Sequence, residues 1–152
     1  MVQYIIHIYT IYNTYLYNTL LLDMPFSVQS LSVPIRIYSL PYPIYSPSVL
    51  CQTYVMGECT VFKKIDKDDD VFASLSKTYD PRLYHVFSLH EDCPGIDHVG
   101  IVHLLSGLFS RANIPILYVT TYSYNLIFVA DESLEKAIAI MKYHPQMIYS
   151  EE

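Results

Sequence analysis

Basic residues are scarce in this chain of 152 residues, in which nine Lys and Arg stand against fifteen Asp and Glu for a formal net charge of -6. No stretch offers a basic stripe that could neutralise a run of phosphates, so nucleic acid is excluded as an expected partner. The three cysteines, Cys51, Cys59 and Cys93, match no closely spaced metal or redox motif, and the chain has no Asn-x-Ser/Thr sequon. We therefore expect a reducing, cytoplasmic environment.

Charge is absent altogether from the first 22 residues, a length that could cross a bilayer. Tyr, Thr, Asn and Gln interrupt this stretch, no Lys or Arg flanks it, and it has neither a basic n-region nor a small-residue cleavage site. A membrane segment is therefore disfavoured. From Met24 to Ser48 the chain contains five prolines, which remove backbone donors and limit regular pairing. We expect residues 1–48 to form a low-complexity, largely disordered leader.

Residues 49–82 are expected to hold a hairpin and a charged loop. Strand-like stretches lie on either side of Gly57 between Val49 and Phe62. The run KKIDKDDD, from Lys63 to Asp70, is charged throughout except for one isoleucine and would prefer water to a core. Its carboxylates lack the spacing and the glycine of a calcium loop, so we expect a solvated loop rather than a metal site.

From Leu83 onward, the period of the apolar residues switches between two and about three and a half, as a small α+β sandwich requires. Leu83 to His90 is typical of a strand. Asp97 can cap a helix whose apolar residues recur at Ile101, Leu105, Leu108 and Ala112. Asn113 and Pro115 then end this helix.

The rest of the chain repeats the alternation. Ile114 to Thr121 and Leu126 to Val129 predict a hairpin, and a second helix follows from Asp131 or Ser133 with Leu134, Ile138 and Met141 on one face. Pro145 bounds this helix before a short strand near residues 146–149. Residues 83–150 are therefore predicted to adopt a ferredoxin-like α+β fold of order βαββαβ, with a four-stranded antiparallel sheet. A partner domain is the expected cover for the sheet face that carries no helices.

Two segments of this region carry a family resemblance. GIDHVGIVHLLSGLF, from Gly95 to Phe109, and ANIPILYVTTYSYNLIFVADESLEKAI, from Ala112 to Ile138, resemble an ACT domain, and more narrowly the last ACT domain of the CASTOR family of cytosolic arginine sensors. The matching positions are Gly95, Asp97, Gly100, Ile101, Val102, Thr120, Thr121 and Tyr122. The match covers less than half of the chain. That family carries four ACT domains and places its ligand between two of them.

The resemblance implies a regulatory protein without catalytic activity or cofactor. It implies an amino-acid ligand, another ACT domain or a second copy of the chain as partner, and nutrient signalling to mTOR complex 1 through a GATOR component. Two departures leave the ligand open, because His98 and Asn125 stand where the family has acidic residues that would oppose a guanidinium group. A degenerate ACT module that only binds proteins is the alternative. An allosteric part of an enzyme such as aspartate kinase would need a catalytic domain, which this sequence does not reveal.

The chemistry of the residues also indicates ligand binding in this region. Gly100 lets a ligand approach the backbone, and the free amides at the helix start suit a carboxylate. Carbonyls at the end of the following strand, at Thr121 and Tyr122, could accept hydrogen bonds from an ammonium group. The predicted ligand-binding residues are Gly95, Asp97, His98, Gly100, Ile101, Val102, Thr121, Tyr122 and Asn125.

Metal binding and thiol catalysis are weaker interpretations. His98 and His103 are five residues apart on the predicted helix and point to different faces, so His85, His90, His98 and His103 are expected to be ordinary surface or core residues. Cys93 lies near His90 and His98, but no motif places a third residue to orient the base. We predict no metal ligand and no catalytic residue.

Overall fold

The computed structural model describes residues 26–90, 101–121 and 124–151, with the side chains of Ser32 and Tyr79 left aside. Seven strands and three helices follow one another along these ranges, joined before the last helix by a 3-10 turn at Asp131–Ser133. Their bounds are β1 Phe26–Leu40, β2 Val49–Val55, β3 Glu58–Lys64, α1 Asp69–Leu75, β4 Thr78–His90, α2 Ile101–Arg111, β5 Ile116–Thr120, β6 Asn125–Ala130, α3 Leu134–Tyr143 and β7 Met147–Glu151.

The predicted α+β order is confirmed in the C-terminal part of the chain. β4, α2, β5, β6, α3 and β7 follow one another as βαββαβ, and β6 pairs antiparallel with both β4 and β5. Ile101, Leu105 and Phe109 recur at helical spacing in α2 and are buried against the sheet. Asn113 has a φ of 56°, the left-handed conformation that ends a helix, as its side chain allows. Apolar periodicity thus predicted these elements correctly.

β1 corrects the expected extent of the leader, because residues 26–40 form a long strand in the middle of the sheet. One edge of this strand pairs with β4, while its other edge pairs first with β7, from Phe26 to Ser30, and then with β3, from Ile35 to Leu40. Pro34 lies at the irregularity where the partner changes, so its missing backbone donor disturbs no ladder. Residues 1–25 lie outside the described residues.

The sheet therefore differs from the predicted four-stranded one. It has seven strands in the order β2-β3-β1-β4-β6-β5, and β7 pairs with β1 rather than with β4. The β1–β7 pairing is parallel, unlike the other strand pairs among the described residues. β1 thus occupies the position beside β4 that the last strand would take in a ferredoxin-like sheet built from residues 83–150 alone.

The two sheet faces bury different cores. On one face, Phe87, Leu89, Ile127 and Val129 pack with apolar residues of α2 and α3. Strand alternation places their neighbours on the opposite face, where Ile35, Phe62, Tyr84, Val86, Leu126, Phe128 and Ala130 form a second cluster. A third cluster, made of Tyr38, Leu40, Cys59 and Val61, is covered by Phe72 and Ala73 of α1.

The face that carries no helices was expected to need a partner domain, and here the chain itself supplies much of the cover. The Phe62 ring on β3 lies 4.5 Å, centroid to centroid, from the Phe128 ring on β6. β1 and β4 lie between these two strands, so a flat sheet would hold them about 14 Å apart. The sheet therefore curls, and the β2–β3 hairpin closes over the second face.

None of the helices in the described ranges combines the length and the apolar character that a membrane crossing would require.

Candidate functional site

The ACT-like topology brings several chain segments to one end of the sheet. β4 ends there at His90, β5 ends at Thr120, and β6 starts at Asn125. Asn125 is the common member of two pairings, with Leu89 on β4 and with Thr120 on β5. α2 begins with Ile101 after the connection that leaves β4 at this same end. The first four backbone amides of a helix have no partner within it, so this end combines helix donors with strand-end carbonyls.

The structure locates four of the nine predicted ligand-binding residues. Ile101 belongs to the buried core, with 6% of its surface exposed, so its side chain packs against the sheet and its backbone amide is the group that remains for a ligand. Val102 is 51% exposed at the start of α2, and Thr121 is exposed just after β5. Asn125 is half-buried at the start of β6. The other five, Gly95, Asp97, His98, Gly100 and Tyr122, lie outside the described residues.

Thr121 and Tyr124 bracket the β5–β6 turn with three hydrogen bonds. The Thr121 amide and hydroxyl both donate to the Tyr124 carbonyl, at 2.8 and 3.1 Å, and the Tyr124 amide donates to the Thr121 hydroxyl at 2.9 Å. These bonds use the hydroxyl of Thr121 rather than its carbonyl. The carbonyl, at the end of β5, is therefore the group of this residue best suited to accept from a ligand.

Tyr124 lies at the candidate site and was not among the predicted ligand-binding residues. Its ring meets the His90 ring edge to face, with 6.1 Å between the ring centroids, and 52% of the tyrosine surface is exposed. His90 and Tyr124 thus form an aromatic rim at the end of β4 and the start of β6. The short link between the two predicted strands could have indicated this position, because it holds Tyr124 close to the start of β6 and so beside the end of the neighbouring strand.

A second polar cluster lies far from this end of the sheet and corrects the expected solvated loop at two positions, Lys63 and Asp69, which are buried. The other charged residues of the run are exposed, as expected. The Lys63 side chain is fully buried, and its Nζ donates to Asp66 Oδ1 at 2.5 Å, Asp69 Oδ1 at 2.7 Å and the Lys64 carbonyl at 3.1 Å. Arg36 Nη1 binds the second oxygen of Asp69 at 3.2 Å. Two cations and two carboxylates thus neutralise one another where α1 meets the sheet.

The electrostatics of this cluster follow from those contacts. Burial by itself would lower the pKa of Lys63, but its hydrogen bonds to Asp66 and Asp69 outweigh burial and raise that pKa. The hydrogen bond from Lys63 lowers the pKa of Asp66 to about 2. Lys63 and Asp66 are therefore both ionised at neutral pH, and such mutual pairing is typical of a structural ion network. Within the described ranges, His, Cys, Asp and Glu side chains form no group of three or more suited to a metal ion.

Comparisons with known proteins identify the C-terminal part of the chain. Residues 83–142 match the family model of the ACT domain. A search of curated proteins finds no match. The matched residues contain β4 from Leu83, α2, β5, β6 and nearly all of α3. Residues 83–142 thus form an ACT domain, and ACT domains are in general regulatory modules that bind amino acids.

Solved structures share the fold of a larger part of the chain. A Vibrio cholerae protein of unknown function is 14% identical with a TM-score of 0.62, and the alignment covers 76% of this chain and 86% of that one. An Agrobacterium tumefaciens protein is 17% identical with a TM-score of 0.63, covering 84% and 94%. Clostridium acetobutylicum aspartate kinase, an allosteric enzyme, is 10% identical with a TM-score of 0.54, and the alignment covers 70% of this chain but 32% of the kinase. At such low identities, the TM-scores establish a shared fold alone.

Proposed function

We propose that this protein is a regulatory module that binds a free amino acid at the end of the sheet where β4 and β5 stop and α2 begins. The observation that carries the proposal is the pairing of Asn125 with both Leu89 and Thr120, which puts the ends of β4 and β5 on either side of the start of β6. An amino acid presents a carboxylate for helix amides and an ammonium group for strand-end carbonyls. Binding would then change the affinity for a partner protein.

The resemblance to the CASTOR family extends this proposal to particular molecules. Arginine is the proposed ligand, nutrient signalling to mTOR complex 1 is the proposed process, and a GATOR component is the proposed partner in the cytoplasm. Another ACT domain, from a second copy or from a different chain, would complete the ligand crevice. Val102, 51% exposed at the start of α2, offers an apolar contact for that second domain.

A thermal-shift screen of the full chain against the twenty amino acids at about millimolar concentration tests the proposal, because a ligand that binds only the folded state raises its apparent stability. We expect a selective rise in Tm with one chemical class of amino acid. An unchanged Tm with all twenty, for protein whose circular dichroism shows it to be folded, would reject ligand binding by this chain.

A substitution at the site tests arginine specifically. Asn125→Asp restores the acidic character that the family resemblance leads us to expect, and should increase the Tm shift given by arginine relative to that given by leucine. Asn113→Asp is the matched control, because it makes the same chemical change at the other end of α2, where aspartate also tolerates the left-handed conformation. If arginine changes the Tm of both variants equally, position 125 does not contact the guanidinium group and arginine is rejected as the specific ligand.

The second candidate function is an ACT module that binds proteins without a ligand. His98 and Asn125 favour it, because the expected carboxylates are missing from both positions. The exposed edges of the sheet, rather than its second face, would carry that function, since Phe62 and Phe128 bury much of the face. A folded chain that captures a partner equally well with and without amino acids would support this candidate.

A further inference from the structure

The outer edge of β2 belongs to a strand outside the residues that match the ACT domain. β2 stands at one end of the strand order, and within the described ranges its pairing partner is β3 alone. Its sequence, VLCQTYV, contains no charge and no proline, two of the usual protections of an edge strand, and its pairing with β3 is regular from Cys51 to Val55, beyond an irregularity between Val49 and Cys51. Tyr54, Val55 and Met56 at its end expose 56%, 63% and 101% of their surfaces.

The hairpin turn fixes which backbone groups face outward. Met56 and Gly57, with φ of 50° and 82°, form a two-residue turn, so Val55 and Glu58 are the hydrogen-bonded pair that closes the hairpin. Alternate residues of β2 then direct their amides and carbonyls in opposite directions. Val55 and Thr53 point toward β3, while Tyr54 and Gln52 point away from it.

We propose that a second copy of this chain pairs antiparallel with β2 about a two-fold axis at Gln52. This axis overlaps all seven residues of the strand and pairs the outward amide and carbonyl of Gln52 with those of its counterpart. It also sets Tyr54 opposite Leu50 and Val49 opposite Val55 of the second copy. In a protein with a formal charge of -6, an uncharged edge lets two identical chains approach without like-charge contacts at the interface.

The alternative pairing, β2 against β5 of a second copy, is disfavoured by its symmetry. β5 is the opposite end of the strand order and is also free of charge, so such a contact would be head to tail. Head-to-tail contacts that do not close into a ring continue into filaments, whereas a two-fold β2 contact closes with two chains. β5 also belongs to the ACT domain, so the proposed β2 contact is independent of ligand binding there.

Thr53→Cys tests this register directly. The two-fold axis puts residue 53 opposite the native Cys51 of the second copy in a non-hydrogen-bonded pair, where Cα atoms are about 4.5 Å apart and a disulfide can form. Thr53 is exposed, so the substitution should leave the fold intact. Burial raises the pKa of the Cys51 thiol to about 11, so copper phenanthroline is used as the oxidant rather than air.

We expect oxidised Thr53→Cys protein to run mainly as a covalent dimer on a non-reducing gel, at least tenfold above the wild-type amount. The Cys51→Ser/Thr53→Cys double variant should return the dimer to the wild-type amount, because the disulfide needs the native thiol. Thr53→Lys in the full chain should reduce the dimer fraction seen by light scattering at tens of micromolar, since it adds two like charges to the interface.

Three results would overturn the inference. One is folded Thr53→Cys protein that gives no more covalent dimer than wild type. Another is a dimer that forms equally well without Cys51, which would mean a different contact. The third concerns the mass measured by light scattering. If Thr53→Lys leaves this mass unchanged and Leu117→Lys on β5 reduces it, the chains associate through β5 of the ACT domain instead.

Discussion

The two ends of the sheet differ in how their polar side chains are placed and paired. Around β3 and α1, the cations of Lys63 and Arg36 pair with the carboxylates of Asp66 and Asp69, and Lys63 is fully buried there. At the ACT end, Thr121, Tyr124 and Asn125 keep their polar groups at or near the surface beside a helix start. The first region uses charge for structure, whereas the second is the proposed ligand site. The comparison teaches that dense charge in the sequence here indicates a structural ion network, whereas the described residues of the proposed site are uncharged.

The largest expected effect comes from breaking the buried ion network. Lys63→Met should lower the free energy of unfolding by about 3 kcal/mol, because it leaves the largely buried carboxylate of Asp69 with Arg36 as its single remaining cation. Urea unfolding measures the change. Lys64→Met is the matched control, since Lys64 is the exposed neighbour in sequence and its loss should cost less than about 0.5 kcal/mol. Equal effects of the two variants would contradict a structural role for Lys63.

Phe62 connects the two regions, because it packs from β3 onto Phe128 of the ACT domain. Phe62→Ala should cost about 3 kcal/mol through the cavity it creates. Phe62→Leu, which keeps most of the side-chain volume, should cost under about 1.5 kcal/mol. Calorimetry gives a further readout: the alanine variant is expected to separate one thermal transition into two, whereas a single sharp transition would show that the regions remain coupled without this contact.

The loss of folding stability at acid pH should depend in part on Asp66. Its pKa is lowered to about 2 in the folded protein from an ordinary 3.8, so the folded state binds fewer protons than the unfolded state in this interval. The stability that Asp66 contributes is therefore fully present above about pH 4 and is lost as the pH falls toward 2. Asp66→Asn should flatten the decline in urea midpoint between pH 4 and 2. A decline as steep as in wild type would assign the acid sensitivity to other carboxylates.

The smallest effects should come from two glycines, one in each region. Gly57 has a φ of 82° in the β2–β3 turn, so Gly57→Ala should cost about 1 kcal/mol through backbone strain. Gly107 lies inside α2 with a normal φ, and an added Cβ would meet only the Arg111 side chain at 3.6 Å. Gly107→Ala should therefore stabilise the fold by up to about 1 kcal/mol through helix propensity. A Gly57→Ala variant that is as stable in thermal unfolding as the Gly107→Ala variant, or more stable, would refute the distinction.

Much of the ACT domain was predictable because its apolar residues recur at the period of each element. The alternation of β4 and β6 and the helical spacing of Ile101 and Leu105 each encode a local structure together with its buried face. The turn after β5 followed from the same reasoning, but the position of Tyr124 did not. Its contact with His90 joins residues 34 positions apart and arises only when β4 and β6 pair.

The strand β1 and the buried Lys63 escaped prediction for a shared reason. Five prolines suggested an irregular leader, yet Pro34 falls at the one place in β1 where the strand changes partners. A lysine among carboxylates is most often solvated, and only the packing of α1 onto the sheet buries it with matched acceptors. In both cases the residue type indicates only an average tendency, to interrupt a strand or to stay in solvent. The actual structure at each position depends on the residues that it contacts far away in the sequence.

The sequence by itself determined the elements of the ACT domain, the β2–β3 hairpin and the scarcity of positive charge, because periodicity, turn residues and composition are local properties of a chain. Tertiary structure alone decided that β1 would enter the sheet between β4 and β7, that the sheet would curl until Phe62 met Phe128, and that Lys63 would be buried. Each of these outcomes depends on contacts between residues far apart in sequence, whose free energy no local pattern records.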